Sequence, residues 1–229
     1  MPEKEVYIII PALNEEKTIA QVIEEIPRKE IEGQGYRVEI LVVDNNSTDR
    51  TEEIAKEKGV RVILEPRRGK GRAISTAFRA INGDFVFLLD ADYTYPASYI
   101  PEMLRLLEEK YDVVLGSRLK GRMEKGAMTK LNWLGNHLLA WLATLLYGTR
   151  ISDLCTGCWG FRGRVVKDLK LRATGFELEA EMFVEIARKR CRIAEVPIHY
   201  RRRPTPAKLK SLRDGFKIAK TLIRKRFRQ

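Results

Sequence analysis

Five short apolar runs lie in the first half of the chain, centred on residues 6–10, 38–43, 60–64, 85–89 and 113–115. Runs this short, rich in branched and aromatic residues, are typical of strands that are buried on both faces. The stretches between them are interpreted as helices over about 14–26, 47–57, 72–81 and 97–109. Strand and helix alternate with short connections, which predicts a mostly parallel sheet with helices on both faces. The predicted fold class is α/β.

Polar residues mark the predicted starts of two of these helices. Asn14 is the candidate cap of the first helix, and Ser47 or Thr48 is the candidate cap of the second. Side-chain oxygens of these residue types accept hydrogen bonds from the free N–H groups at a helix N-terminus.

The fourth apolar run, 85–89, leads directly into Asp90-Ala91-Asp92. In open α/β sheets, ligands bind in the crevice at the carboxyl ends of the strands. One or two carboxylates plus substrate phosphates are the usual ligands of Mg²⁺, and Mn²⁺ prefers the same oxygen donors. The spacing alone leaves two interpretations open: a site for Mg²⁺ or Mn²⁺, or a strand that is followed by an Asp-rich turn.

Polar residues also follow two other predicted strands, at Asp44-Asn45-Asn46 and at Ser117-Arg118. The carboxyl ends of parallel strands meet at one edge of a sheet. A purely structural sheet does not need this coincidence, so the pattern favours a functional site at that edge.

The second half begins with a stretch of nineteen residues, 131–149, that contains no Lys, Arg, Asp or Glu. A transmembrane helix needs about 20 apolar residues, but small or polar residues recur here at Asn132, Asn136, Ala140 and Thr144. Trp and Leu residues occupy the other side. We interpret about 128–147 as an amphipathic helix that packs on the core or lies in a membrane interface. A transmembrane span is the less favoured alternative.

A Glu-rich helix is predicted over 176–190, and a strand over 192–200 that Pro197 restricts to a sheet edge. The net charge is +12, and residues 201–229 alone hold twelve Lys or Arg against one acidic residue. Apolar residues at steps of three and four predict a basic amphipathic helix from about residue 208 to 227. A helix of this type suits an anionic membrane surface.

Other consequences of the composition are weaker. A basic tail is also compatible with a nucleic acid, but no DNA- or RNA-binding motif is recognisable, so no nucleic-acid partner is expected. Three cysteines and no secretory signal predict reduced, buried or partly buried thiols. The lone pair Cys155 and Cys158 lacks the second pair that a zinc site needs.

Five motifs, in order, resemble family 2 glycosyltransferases with the A-type (GT-A) fold. They are Ile10-Pro11-Ala12-Leu13-Asn14-Glu15, Val42-Val43-Asp44-Asn45-Asn46-Ser47-Thr48-Asp49, Gly69-Lys70-Gly71, Asp90-Ala91-Asp92 and Gly116-Ser117-Arg118. The resemblance to dolichyl-phosphate mannose synthases rests on Ser152-Asp153 through Gly157, Gly175-Phe176-Glu177, Glu181-Met182 and Ala194-Glu195-Val196-Pro197-Ile198. Residues 124–132 and Arg213-Asp214-Gly215 are similar to archaeal dolichyl-phosphate hexose transferases of N-glycosylation.

This resemblance spans nearly the whole chain and implies an inverting, metal-dependent enzyme. It would transfer a hexose from a nucleotide sugar, UDP-glucose or GDP-mannose, to dolichyl or another polyprenyl phosphate, with Mg²⁺ or Mn²⁺ as cofactor. The GT-A catalytic domain is expected over 1–200, including the interface helix of about 128–147. The basic helix 201–229 would hold it peripherally at the cytoplasmic face of the cell membrane. Two alternatives stay open: a soluble acceptor, and a non-catalytic nucleic-acid binder.

The resemblance also implies roles for single residues. The nucleotide sugar is assigned to Pro11, Ala12, Glu15, Asp44, Lys70, Asp90, Ala91 and Asp92. The metal is assigned to Asp90 and Asp92, and the acceptor phosphate to Ser117, Arg118, Lys130 and Arg203. Asp92 and Arg118 are the residues expected to be catalytic. A phosphate acceptor is already anionic near pH 7, so no strong general base is expected.

The sequence departs from the family pattern at two positions. Thr94 stands where mannose synthases usually carry Gln, and Asn45 stands where the family usually carries a second Asp. Three acidic residues, Glu177, Glu179 and Glu181, are expected either to contact the sugar or to support basic side chains. The supporting role is favoured for Glu179.

Overall fold

The structure, a computed structural model, describes residues 3–206 and 211–227. Within these residues the chain forms seven strands: β1 Lys4–Ala12, β2 Tyr36–Asp44, β3 Arg61–Leu64, β4 Phe85–Leu89, β5 Val113–Met123, β6 Cys158–Arg162 and β7 Ile193–Tyr200. The α-helices of the same residues are α1 Ile19–Glu25, α2 Arg28–Gly33, α3 Thr51–Glu57, α4 Lys70–Ala80, α5 Ile100–Glu109, α6 Lys130–Tyr147, α7 Gly163–Asp168, α8 Leu178–Arg188 and α9 Ser211–Phe227.

The strands form one sheet in the order β3-β2-β1-β4-β6-β5-β7. Neighbouring strands are parallel except at β6, which runs antiparallel to both β4 and β5. The predicted mostly parallel α/β sheet is confirmed, and β7 lies at an edge as Pro197 predicted. The short strand β6 was not predicted, and β5 extends eight residues beyond its predicted end at residue 115.

Alternate side chains of the central strands feed two hydrophobic cores, one on each face of the sheet. Ile8 and Phe87 belong to one core, and Ile9, Leu88 and Trp159 belong to the other. Burying an apolar side chain of this size stabilises the fold by about 1.5–3 kcal/mol. The cysteines are free, with Cys158 buried and the other two partly buried, as the sequence predicted.

The two predicted helix caps are wrong. Asn14 adopts a left-handed backbone conformation, and its Oδ1 accepts a hydrogen bond from the Thr48 backbone N–H at 2.8 Å. Helix α1 begins only at Ile19, and α3 begins at Thr51, whose backbone N–H donates to Asp49 Oδ1. These polar residues instead join the β1–α1 loop to the β2–α3 loop, both of which lie at the carboxyl edge of the sheet.

The predicted amphipathic helix 128–147 is present as α6, but it presents its small face to the protein. Asn136, Ala140 and Ala143 are buried, whereas Trp133 and Trp141 are exposed. The exposed apolar residues of this helix are Leu131, Trp133, Leu134, Leu138, Trp141 and Leu145. No helix among the described residues combines the length and the hydropathy needed to span a membrane.

Helix α9 packs on α6 and α8 through Ile218 and Leu222. Four residues of the predicted apolar stripe of this helix, Leu212, Phe216, Ile223 and Phe227, are exposed. The predicted helix start near residue 208 lies outside the described residues. The division of the chain at residue 200 stays a prediction.

Candidate active site

The two aspartates after β4 form the centre of the site. The backbone turns sharply at Tyr93, which has a φ of 65°. Asp92 Oδ1 accepts hydrogen bonds from the Thr94 backbone N–H and hydroxyl, while Oδ2 lies 3.4 Å from Arg203 Nη1. Burial raises the pKa of Asp92, and repulsion by Asp90 adds to the shift, whereas Arg203 and Thr94 oppose it. In this arrangement Thr94 orients Asp92.

Lys70 is the cation closest to Asp90. Its Nζ lies 2.7 Å from Asp90 Oδ1 and 2.8 Å from Glu179 Oε1. Burial by itself lowers the pKa of Lys70, but attraction to the two carboxylates outweighs burial and the net shift is upward. Lys70 therefore remains an ammonium group next to Asp90 and Asp92, which we call the acid pair.

The surroundings of the acid pair fit a divalent cation. A Cβ at Gly157 would lie 2.0 Å from Asp90 Oδ2, so only glycine leaves room for this carboxylate. The mutual repulsion of Asp90 and Asp92 is relieved by added positive charge. Among the described residues no cluster of three or more His, Cys, Asp or Glu side chains offers a complete metal cage. Two carboxylates completed by substrate phosphates and water are the arrangement that Mg²⁺ usually adopts.

A cavity of about 320 Å³ opens on one side of the acid pair. It is lined by Pro11, Ala12, Leu13, Glu15, Asn45, Gly69, Lys70, Ala73, Asp90, Ala91, Asp92, Gly175, Phe176 and Arg203. The residues assigned to the nucleotide sugar from the sequence therefore meet in one cavity, except Asp44, which is buried at the end of β2. We call this space the donor cavity.

Asp44, at the end of β2, has one oxygen that is paired and one that is unpaired among the described residues. Its Oδ2 accepts a hydrogen bond from the Ser47 backbone N–H, but the buried Oδ1 has no hydrogen-bond partner among the described residues. Leaving a buried polar atom unpaired costs about 1–3 kcal/mol. A ligand with an N–H or hydroxyl donor would recover that free energy.

Asn45 organises the loop 65–69, which leads into Lys70 at the start of α4 and which we call the Lys70 loop. Its Nδ2 donates to the carbonyl oxygens of Glu65 and Arg67 at 3.0 and 2.9 Å, and its Oδ1 accepts from the Gly69 backbone N–H. A carboxylate cannot donate to those carbonyl groups. This explains why Asn is suited to a position where the family usually has Asp.

A second cavity, of about 530 Å³, opens on the other side of the acid pair. Lys70, Asp90, Asp92, Phe176 and Arg203 line both cavities. Beyond these shared residues, the wall of the second cavity is largely apolar and is formed by α6 and α9, through Leu131, Leu134, Leu138, Leu139, Leu212, Phe216 and Ile218. We call this space the acceptor cavity.

Two of the residues assigned to the acceptor phosphate line this cavity. Arg118 lies at a register shift in β5, with its Nε and Nη2 paired to Asp153 at 2.7 and 2.6 Å. The rings of Tyr95 and Tyr200 lie within 6 Å of its guanidinium carbon. Arg203 connects Asp92 to Glu15, with 2.6 Å between Arg203 Nη2 and Glu15 Oε1.

The other two residues assigned to the acceptor phosphate lie elsewhere. The Ser117 side chain is fully buried, and its hydroxyl shares a hydrogen bond with the Ser152 hydroxyl. Lys130 is exposed at the start of α6 and lines a separate surface groove with Met123 and Trp133. The structure therefore does not bring Ser117 or Lys130 to the acid pair.

Glu179 supports a basic side chain, which is the role favoured for it from the sequence, because its Oε1 pairs with Lys70. This residue is 5% exposed and lines the acceptor cavity, and its Oε2 has no hydrogen-bond partner among the described residues. Burial raises the pKa of Glu179, and Lys70 opposes that shift. A carboxylate is rarely buried without a partner, and Lys70 is the partner of Glu179 in this site.

Comparisons with known proteins give matches over most of the chain. The sequence profile of the family "Glycosyl transferase family 2" matches residues 7–170. The dolichyl-phosphate hexose transferase of Haloferax volcanii is 37% identical over 220 residues, covering 95% of this chain and 92% of that protein. Glycosyltransferase AglJ of the same organism is 35% identical over 223 residues, covering 96% of this chain and 71% of that protein.

Solved structures with the same fold include glucosyl-3-phosphoglycerate synthase from Mycobacterium tuberculosis. Its complex with phosphoglyceric acid has a TM-score of 0.77 at 25% identity, covering 97% of this chain and 80% of that chain. Its complex with Mn²⁺, UDP-glucose and phosphoglyceric acid has the same TM-score at 24% identity and the same coverage. The predicted GT-A fold is confirmed.

Proposed function

The chain belongs to glycosyl transferase family 2, and from that premise we propose that it transfers a hexose from a nucleotide diphosphate sugar to a polyprenyl phosphate. One observation carries the proposal: the acceptor cavity connects the acid pair and the guanidinium groups of Arg118 and Arg203 with an apolar wall formed by α6 and α9. A lipid phosphate needs both environments, because its head is anionic and its tail is apolar. The relative from Haloferax volcanii that is named for dolichyl phosphate supports this acceptor.

On the donor side, Asp90 and Asp92 would hold Mg²⁺ or Mn²⁺, which neutralises charge that develops on the departing diphosphate. The use of a divalent ion is supported by the synthase of the same fold that was solved with Mn²⁺ and UDP-glucose. Pro11, Ala12, Glu15 and Asp44 would contact the base and ribose. The Lys70 ammonium would face the diphosphate. The Glu179 carboxylate is suited to accept a hydrogen bond from a sugar hydroxyl.

On the acceptor side, Arg118 and Arg203 would hold the lipid phosphate. Arginine matches phosphate geometry well, and pairing with Asp153 fixes the Arg118 guanidinium while leaving its Nη1 outside that pair. A bond would form between a phosphate oxygen and the anomeric carbon as the bond to the diphosphate breaks, with inversion. Positioning and electrostatics would supply most of the rate enhancement.

Helices α6 and α9 would bind the membrane surface peripherally, at its cytoplasmic face. A helix on a water-exposed surface normally buries its apolar side, yet α6 exposes Trp133 and Trp141. Exposed apolar patches of this kind are typical of interaction sites. Lys217, Lys220 and Arg224 of α9 are also exposed, and each basic residue near anionic lipid contributes about 1 kcal/mol.

A soluble phosphorylated acceptor is the second candidate. It is favoured by the fold shared with a synthase that was solved with phosphoglyceric acid. Arg118 and Arg203 suit any phosphate, but the apolar walls of the acceptor cavity have no role for a small polar acceptor. The absence of a nucleic-acid partner stays a prediction.

The test is a transfer assay on the purified chain with Mg²⁺ or Mn²⁺. Radiolabelled UDP-glucose, GDP-mannose and UDP-N-acetylglucosamine are each incubated with dolichyl phosphate in anionic vesicles, and in parallel with 3-phosphoglycerate. We expect a lipid-linked product from one donor. Transfer to phosphoglycerate alone would favour the second candidate, and no product from any donor would contradict both.

A further inference from the structure

The segment 172–175, between α7 and α8, forms a wall against the loop that carries Lys70. A Cβ at Gly71 would lie 2.2 Å from the Ala173 carbonyl oxygen, and a Cβ at Gly69 would lie 2.1 Å from the Thr174 carbonyl oxygen. The Gly71 backbone N–H also donates to Thr174 at 3.2 Å. The position of this segment therefore determines where the loop, and with it the Lys70 ammonium, can lie.

Glu181, on the first turn of α8, holds this segment in place. Its Oε2 accepts hydrogen bonds from the backbone N–H groups of Arg172 and Ala173, at 2.7 and 2.6 Å. Glu181 is 2% exposed. The segment has no regular secondary structure, so the carboxylate supplies acceptors that a helix or sheet would otherwise provide.

The other oxygen of Glu181 faces α9. Lys225 Nζ lies 2.6 Å from Glu181 Oε1, and the Lys225 side chain is only 17% exposed. Glu185 is a more distant neighbour of the same ammonium group, with 3.6 Å between its Oε1 and Lys225 Nζ. One buried carboxylate therefore contacts both the support of the donor loop and the helix whose outer face is apolar and basic.

We propose that Glu181 is a positioning residue for the donor cavity. Its pairing with Lys225 would make donor binding depend on how α9 packs against α8. A buried carboxylate that loses its cation is strongly disfavoured. Displacement of α9 would therefore release Glu181 from segment 172–175, and the Lys70 loop would lose its support. The inference rests on the proposed function, because it concerns the same donor cavity.

The test measures binding of UDP-glucose and GDP-mannose with Mn²⁺ by calorimetry on the full chain, and the KM and kcat of transfer. Lys225→Met removes the ion pair and leaves the backbone hydrogen bonds of Glu181 available. Glu181→Gln keeps one oxygen acceptor, and Glu181→Leu removes both functions. Glu185→Gln is the matched control, because it alters the other carboxylate near Lys225.

We expect Lys225→Met and Glu181→Gln to weaken donor binding about tenfold, the size of effect typical of coupled positions. Glu181→Leu should weaken it further, Lys225→Arg should restore it, and Glu185→Gln should match the wild type. The donor KM should rise while kcat at saturating donor changes little, which a general loss of folded protein would not produce.

Unchanged donor binding in folded Lys225→Met and Glu181→Gln proteins would overturn the inference and leave the proposed function intact. A wild-type protein that binds neither nucleotide sugar would overturn the proposed function, and the inference with it. If Glu181→Leu does not fold, the other two variants still decide the question.

Discussion

The two sides of the acid pair are built by opposite means. The donor cavity is formed by loops at strand ends, which polar contacts such as those of Asn45 and Asn14 fasten to one another. The acceptor cavity is formed by α6 and α9, which leave apolar side chains exposed. The first arrangement suits a ligand that is held by polar contacts. The second suits a ligand whose apolar part extends beyond the protein into an apolar environment such as a lipid bilayer.

A comparison of two helices sharpens this contrast. Helix α5 buries Met103, Leu104 and Leu107, as an amphipathic helix on a soluble protein should. Helix α6 buries a face of small and polar residues and exposes its Trp and Leu residues. The apolar side of α6 is therefore exposed, and the membrane binding proposed above would cover it.

The largest effect is expected at the junction of the two cavities. Asp92→Asn should lower kcat about a thousandfold with every acceptor, equivalent to about 4 kcal/mol of lost transition-state stabilisation. The amide oxygen can still accept from Thr94, and the repulsion by Asp90 disappears, so thermal unfolding should show a folded protein. Mn²⁺ titration should show weakened binding.

Asp168→Asn, at an exposed position at the end of α7, is the matched control and should keep wild-type activity. If Asp92→Asn keeps its turnover and its Mn²⁺ affinity, Asp92 is not a metal ligand. The acid pair would then not link donor binding to the acceptor cavity.

The donor side was largely predictable from the sequence, and the acceptor side was not. Polar residues after parallel strands come to one edge of the sheet because the strands share a direction, so Asp90 lines the same cavity as Pro11 and Lys70, whereas Asp44 is buried at the end of β2. A periodic apolar pattern shows that a helix is amphipathic but does not say which face packs on the protein, so the orientation of α6 could not be derived. The predicted helix caps were wrong because Asn14 and Thr48 are hydrogen-bonded to each other. They lie on two loops that are distant in sequence, and a local sequence pattern does not show such a contact.

The polar construction of the donor side is tested by Asn45→Asp. The carboxylate would face the Glu65 and Arg67 carbonyl oxygens without a proton to donate, so we expect a loss of about 2–3 kcal/mol in the free energy of unfolding. The donor KM should rise because the loop that carries Lys70 loosens. Denaturant titration and donor kinetics measure the two effects.

Asn46→Asp makes the same chemical change at the neighbouring exposed position, and it should leave both quantities close to the wild type. Equal stability of the two variants would show that the Asn45 hydrogen bonds do not support the donor loop.

The apolar construction of the acceptor side is tested by Trp141→Ala on α6. Removing a side chain that is 64% exposed in the protein should leave folding unchanged, but it should weaken binding to anionic vesicles about tenfold, or about 1.4 kcal/mol. Co-sedimentation measures vesicle binding, and calorimetry should show unchanged donor binding. The control is Leu64→Ala, which removes another exposed apolar side chain, at the end of the edge strand β3. This variant should bind vesicles normally, and a similar loss of binding would mean that vesicle binding is unspecific.

The smallest effect concerns how the donor side depends on pH. Hydrogen bonds from Arg67 and then Thr76 lower the pKa of Glu65 from 4.5 to about 2. Because the folded-state pKa lies below the unfolded one, the stability that Glu65 contributes is fully present above about pH 4.5 and is lost as the pH falls towards 2. Its size should be about 1 kcal/mol, since the Arg67 side chain is exposed and solvent screens the pair. Glu65→Gln should therefore lie below the wild type in unfolding free energy at pH 6 and converge with it near pH 2. If the difference in unfolding free energy stays constant over this range, the negative charge of Glu65 does not contribute to the stability.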